Sequence, residues 1–180
     1  LSCQLLMRDP EAVRQSVVEF VNDETFAGSY RGLVLAHAIK VYGKSDVDLE
    51  HAAALLECSL HALGHPLTGH EMVIEAYVKV MDELGKIERA KANLNRYIYV
   101  FCDLRLDRTN FRRADFRKTV AEAMLYRDPQ LAKRLLNQAK EIVDYNPLTP
   151  QRELDDIDRL IAECDNAMQA GRPGVSQVPE

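Results

Sequence analysis

All five histidines of the chain, His37, His51, His61, His65 and His70, fall in one stretch. Imidazole is the commonest protein ligand for zinc, so the clustering raises the question of a metal. Glu57, His61 and His65 are spaced four apart. On an unbroken helix they would share a face, and paired imidazoles at that spacing can hold zinc. Gly64, however, is expected to end the helix between the last two. Histidines near a helix C-terminus are stabilised there by the helix dipole without any metal. The preferred reading is therefore solvated C-terminal histidines and no metal or cofactor, with Glu57, His61 and His65 as the alternative ligand set. Nothing in the linear sequence has the form of a nucleophile elbow, a phosphate-binding glycine loop or a kinase motif set. No catalytic residue is assigned.

Charge is the second source of chemistry. Between Arg105 and Lys118 the chain carries Arg105, Arg108, Arg112, Arg113, Arg117 and Lys118 against Asp107 and Asp115. The segment Pro150 to Asn166 is its opposite, with Glu153, Asp155, Asp156, Asp158, Glu163 and Asp165 against Arg152 and Arg159. Mutual attraction within the fold or simple solvation is preferred over docking of an anionic partner on the arginines, because exposed ion pairs contribute little. The formal net charge of −5 argues against general nucleic-acid binding, which draws on counterion release by Lys and Arg.

The elements that position these residues follow from composition and punctuation. A chain of 180 residues with 47% hydrophobic and 28% charged residues has the make-up of a globular protein that needs no disulfide or metal to fold. Cys3, Cys58, Cys102 and Cys164 are far apart and form no C-x-x-C pair, which predicts a reduced, cytoplasmic protein. No apolar run is long enough to span a membrane, and no basic-then-apolar leader precedes the first helix. The start at Leu1-Ser2-Cys3 has the residues of a lipoprotein signal end, too few to favour lipidation of Cys3.

Eight helices are predicted and no strand, an all-α fold. Asp9-Pro10 opens the first, which carries Val13, Val17, Phe20 and Val21 on one face. The second runs from Ser29 to Tyr42 and stops at Gly43; Asp46 or Asp48 caps the third, which ends at Gly64. Thr68-Gly69-His70-Glu71 has capping-box spacing for a fourth, continuing to Leu84. Gly85 then takes the left-handed conformation that lets the chain reverse into a fifth from Ile87. A sixth covers Phe111 to Tyr126, Asp128-Pro129 begins a seventh, and Thr149-Pro150 opens an eighth ended by Gly171. One domain over residues 1–171 with a flexible tail over 172–180 is expected. Met72, Met81, Met124 and Met168 are read as core or groove fillers.

Three segments share a plan of helix, short turn and second helix, with small residues in mid-helix and an apolar residue four further on. The marks are Leu84, Gly85, Ala90 and Leu94 in one; Ala132, Leu136 and Ala139, with Phe116 before and Pro147 after, in another; and Ala36, Ile39, Gly43, Ala52 and Leu56 in the third. Alanine where two helices cross lets the axes approach, and the larger residue one turn on fills the groove beside it. The pattern over Ser29 to Pro147 resembles the tetratricopeptide repeat. It departs from it in longer spacing, in Tyr97 at a small-residue position and in Cys102 where proline is usual.

That resemblance implies stacked antiparallel helical hairpins forming a superhelix, with the eighth helix as a cap. It implies a groove lined by the first helix of each pair: Tyr30, Leu33, His37 and Lys40, then Met72, Glu75, Lys79 and Asp82, then Arg117, Ala121 and Met124. A non-enzymatic adaptor, scaffold or chaperone-like module binding a peptide or helix of a protein partner is the function it suggests. The alternatives are a helical-bundle enzyme or metal-dependent sensor using the His37 to His70 region, and a subunit that self-associates through the final helix. Neither nucleic acid nor membrane is expected as a partner.

Overall fold

Helix starts and stops follow local chemistry. The Asp48 carboxylate accepts the His51 N–H at 3.0 Å and that of Asp128 accepts the Leu131 N–H at 2.9 Å, each satisfying an amide that the first helical turn leaves without a partner. Gly43 and Gly85 sit at φ 77° and 67°, a left-handed backbone that is strained for any residue with a Cβ. The Gly43 N–H reaches the Ile39 carbonyl at 2.8 Å; the Gly85 N–H reaches that of Asp82 at 2.9 Å and the Lys86 N–H that of Met81 at 2.7 Å. The last two bonds are the paired closure that lets a chain reverse after a helix.

The computed structural model describes residues 10–43, 47–62, 70–99, 111–144 and 150–170. Among the described residues there are eight helices and no strand: α1 (Pro10–Asn22), α2 (Gly28–Tyr42), α3 (Leu49–Ala62), α4 (His70–Glu83), α5 (Ile87–Tyr97), α6 (Phe111–Met124), α7 (Pro129–Asp144) and α8 (Gln151–Ala170). The fold is all-α. No helix among these residues is long and apolar enough to cross a membrane. Several positions assigned above lie outside the described residues: Asp9, Asp46, Gly64, His65, Thr68, Gly69, Pro147, Thr149, Gly171, Cys3, Cys102, residues 100–110 and the tail. The chain divides into two compact units, Leu1–Phe101 and Cys102–Glu180.

In the first unit the directions of the helices follow from which residues touch. Gly28 lies against Cys58 and Gly32 against Leu55 and Ser59, so α2 and α3 run antiparallel. Lys40 pairs with Glu75 at 3.8 Å, and one turn on Lys79 donates to the Gly43 carbonyl; α2 and α4 therefore run parallel. Glu50 pairs with Lys86 and Glu57 with Arg89, so α3 and α5 are parallel too. The hairpin α2–α3 is stacked on the hairpin α4–α5. Helix α1 packs antiparallel on α2, with Arg14 over the Tyr42 ring at 5.2 Å and Arg31 donating to the Val21 carbonyl at 2.9 Å.

The small residues of the repeated pattern are core residues. Ala36, Ala52 and Ala90 are wholly buried, as are Ala132 and Ala139 in the second unit, with Leu56, Leu94 and Leu136 buried beside them. Helices α2 and α3 approach closely at Gly32, where a Cβ would stand 2.2 Å from the Leu55 carbonyl oxygen and 2.3 Å from Ser59 Oγ. Ser59 Oγ in turn donates to the Ser29 carbonyl at 2.6 Å, tying the two helices together at that point.

In the second unit α7 packs against both α6 and α8. Helix α8 buries Ile157, Leu160 and Cys164. Its acidic side pairs with lysines of both neighbours: Asp156 with Lys118, Asp158 with Lys140 at 2.6 Å and Asp165 with Lys133 at 2.7 Å. The opposed charge of the two segments is thus met within the fold, through Lys118 from the basic one. Bonds from Lys118 first and Arg159 next hold the Asp156 carboxyl below the ordinary aspartate range. Burial alone would pull Lys118 down, but Asp156, Glu122 and Glu153 together leave it above the ordinary lysine value.

Two outcomes follow. Gly32→Ala should destabilise the protein in urea denaturation by about 1–3 kcal/mol, because a clash with a backbone carbonyl outweighs the roughly 1 kcal/mol gain in helix propensity. An unchanged midpoint would mean that α2 and α3 lie further apart. Asp156 has a depressed folded pKa, so its contribution is present above the unfolded value of about 3.9 and is lost as pH falls through the folded pKa. Asp156→Asn should therefore cost stability at neutral pH and flatten the loss of stability below about pH 4, read from denaturation curves across pH.

Candidate functional site

Helix α2 is apolar around most of its circumference, a pattern proper to a helix covered on all sides. It buries Gly32, Leu35, Ala36, Ala38 and Ile39. Its exposed positions are Tyr30, His37, Lys40 and Val41, with Leu33 and Val34 half-buried among them. Tyr30, Val34, His37 and Val41 follow the spacing i, i+4, i+7, i+11, so they form one stripe on the side opposite the Gly32 contact with α3. Tyr30 is 51% and Val41 58% exposed. Phe26, 42% exposed, extends the stripe: the Phe20 ring lies 4.6 Å from Phe26 and meets Tyr30 edge-on at 5.8 Å.

Helix α4 continues this face. Met72 and Lys79 are half-buried, and Glu71, Glu75, Asp82 and Glu83 are exposed. Lys40 and Glu75 bridge the seam between α2 and α4, and Lys79 places its ammonium on the carbonyl end of α2, where the helix dipole favours a cation. The eight residues Tyr30, Leu33, His37, Lys40, Met72, Glu75, Lys79 and Asp82 are thus brought onto one pair of parallel helices.

The three remaining groove positions belong to α6 of the second unit. Arg117, Ala121 and Met124 are buried at 5%, 0% and 0% exposure, so as they stand they present no surface to a partner. Arg117 donates through Nε to Gln138 Oε1 at 3.4 Å and through Nη1 to the Arg113 carbonyl at 3.3 Å. The physical reason is that α6 is buried on more than one side, at Arg113, Ala114, Phe116, Thr119 and Val120 as well. An arginine on such a helix must find acceptors inside.

Glu57, from the alternative metal set, has other partners. Its carboxylate accepts from Tyr77 Oη at 2.9 Å, from Arg89 Nη2 at 3.0 Å and from Asn93 Nδ2, which also donates to Tyr77 Oη at 2.8 Å. The cluster joins α3, α4 and α5. Burial, assisted by the Glu57 carboxylate, raises the Tyr77 phenol well above the ordinary tyrosine value against the opposing effects of Asn93 and Arg89, so the hydroxyl stays a donor. His61 is exposed. Among the described residues no three His, Cys, Asp or Glu side chains converge as a metal site. Of the cysteines described, Cys58 is exposed and Cys164 buried, both as free thiols.

Scans of protein-family models, curated proteins and solved structures each returned no match to the chain. The site is therefore read from its own chemistry. The groove assignment by repeat position did not include Phe26, Val34 or Val41. A usable signal was present in the sequence: GSYRGLVLAHAIKVY is apolar at every phase of the helical period, so whichever side faces solvent must carry apolar residues.

Tyr77→Phe removes a buried donor to a carboxylate and should cost about 1.5 kcal/mol, the lower end for bonds to charged groups because Arg89 and Asn93 remain. Denaturation of the variant measures it; a midpoint equal to wild type would show that the phenol contributes nothing to holding α4 on α3.

Proposed function

We propose that the chain is a protein–protein interaction module of the tetratricopeptide-like kind, a non-enzymatic adaptor or scaffold that takes a peptide or helix of a partner along α2 and α4. The observation that carries this reading is the stripe of Tyr30, His37 and Val41, with Val34 half-buried between them and Phe26 just ahead of the helix, left facing solvent on a helix otherwise apolar enough to be covered. Rigid aromatic side chains on an exposed face suit recognition, since they bury large area with few torsions to fix. Stacking of the α2–α3 hairpin on the α4–α5 hairpin supports it as well, because that arrangement sets the first helices of successive pairs side by side. Met72 and Leu33 supply adaptable apolar contacts, while the acids of α4, Glu75 and Asp82 among them, select register; Lys40 and Lys79 hold α2 and α4 together beneath it. Free thiols at Cys58 and Cys164 accord with a reducing, cytoplasmic setting.

Selection of short random peptides on the immobilised full-length protein tests this. Peptides recovered should bind the Tyr30→Ala, Val41→Ser double variant roughly ten-fold more weakly, a loss proper to hot-spot residues, while its circular dichroism stays that of wild type. Binding indifferent to the double variant would place recognition elsewhere on the molecule.

A further inference from the structure

We infer that the partner of this face is a cationic amphipathic helix, its apolar side on the α2 stripe and its Lys or Arg residues against α4. This rests on the interaction reading above and adds to it the sign of the partner's charge. Every described exposed position of α4 is acidic: Glu71, Glu75, Asp82 and Glu83. Asp23 and Glu24 stand exposed in the turn that carries Phe26, at the Tyr30 end of the stripe. Bonds to the Thr25 hydroxyl and N–H hold the Asp23 carboxyl below the ordinary range, so it stays ionised.

The cations on these two helices, Arg31, Lys40 and Lys79, are fewer than the acids, and the Lys40–Glu75 pair removes one charge of each sign. Lys79 donates to the Gly43 carbonyl, Arg31 to the Val21 carbonyl, and Lys40 pairs with Glu75. An apolar strip beside a row of one sign of charge favours a ligand carrying the opposite sign. Attraction speeds docking and fixes which way the ligand lies, and like charge disfavours an anionic one. Because the strip lies along α2 and the acids along the parallel α4, a straight ligand meets both only if its apolar and basic residues fall on adjacent sides. A helix with periodic hydrophobicity meets that condition.

The test is a displayed library of helical peptides with a fixed leucine stripe and the flanking positions varied among Lys, Glu and Gln, selected on the full-length protein. Lysine should be enriched over glutamate at the flanking positions. The recovered lysine peptide should lose about ten-fold in affinity to the variant carrying Glu71→Gln, Glu75→Gln, Asp82→Asn and Glu83→Gln together, and its affinity for wild type should fall with added salt. The Tyr30→Ala, Val41→Ser variant should weaken it as well. Enrichment of glutamate, or no charge preference among peptides that still depend on Tyr30 and Val41, overturns the cationic partner while leaving the interaction face standing. Peptides indifferent to Tyr30 and Val41 overturn both.

Discussion

The close approach of α2 to α3 at Gly32 governs the first unit. With no Cβ, the α2 backbone comes close to the Leu55 carbonyl, and Ser59 fastens the contact by donating to the Ser29 carbonyl. Once this side of α2 is committed, helical geometry leaves Tyr30, Val34, His37 and Val41 on the opposite side. The neighbours α1 and α4 take the flanks through Arg31 to Val21, Lys40 to Glu75 and Lys79 to Gly43. The exposed strip is therefore a consequence of the crossing: a helix gripped from one side by α3 and from both flanks has one side left over.

The second hairpin is held by a different kind of contact. Glu57 stands at the junction of α3, α4 and α5 with three donors on its carboxylate. A carboxylate drawn partly out of water is tolerated when it is well bonded, and in return it fixes the position of each donor's helix. Apolar packing at Ala90 and Leu94 brings α5 close; the polar cluster selects the register in which Arg89 and Asn93 both reach Glu57. The carboxylate that belongs to the alternative metal set in the sequence serves here as a structural acceptor.

Electrostatics divides the chain. In the second unit three acids of α8, Asp156, Asp158 and Asp165, are met by Lys118, Lys140 and Lys133 from neighbouring helices. In the first, the exposed acids of α4 form a row beside the apolar strip, with Lys40 reaching across to Glu75. Acidic helices of one chain thus serve intramolecular packing in one unit and, in the reading favoured above, selection of a partner in the other.

Much of the architecture was legible in residue order. Asp48, Asp128, Gly43 and Gly85 mark helix ends because capping and left-handed turns are settled within a few residues, and the alanines at 36, 52, 90, 132 and 139, in apolar helical register, are all in the core. What residue order does not contain is which side of a helix has a neighbour. Arg117, Ala121 and Met124 are polar or apolar types that suit a groove, yet α6 is covered around them; Tyr30 and Val41 suit a core, yet α2 is bare at both. Local chemistry, acting over one or two turns, decides where helices begin, end and touch closely. Exposure depends on packing partners remote in sequence, and for this chain only the tertiary structure decided it.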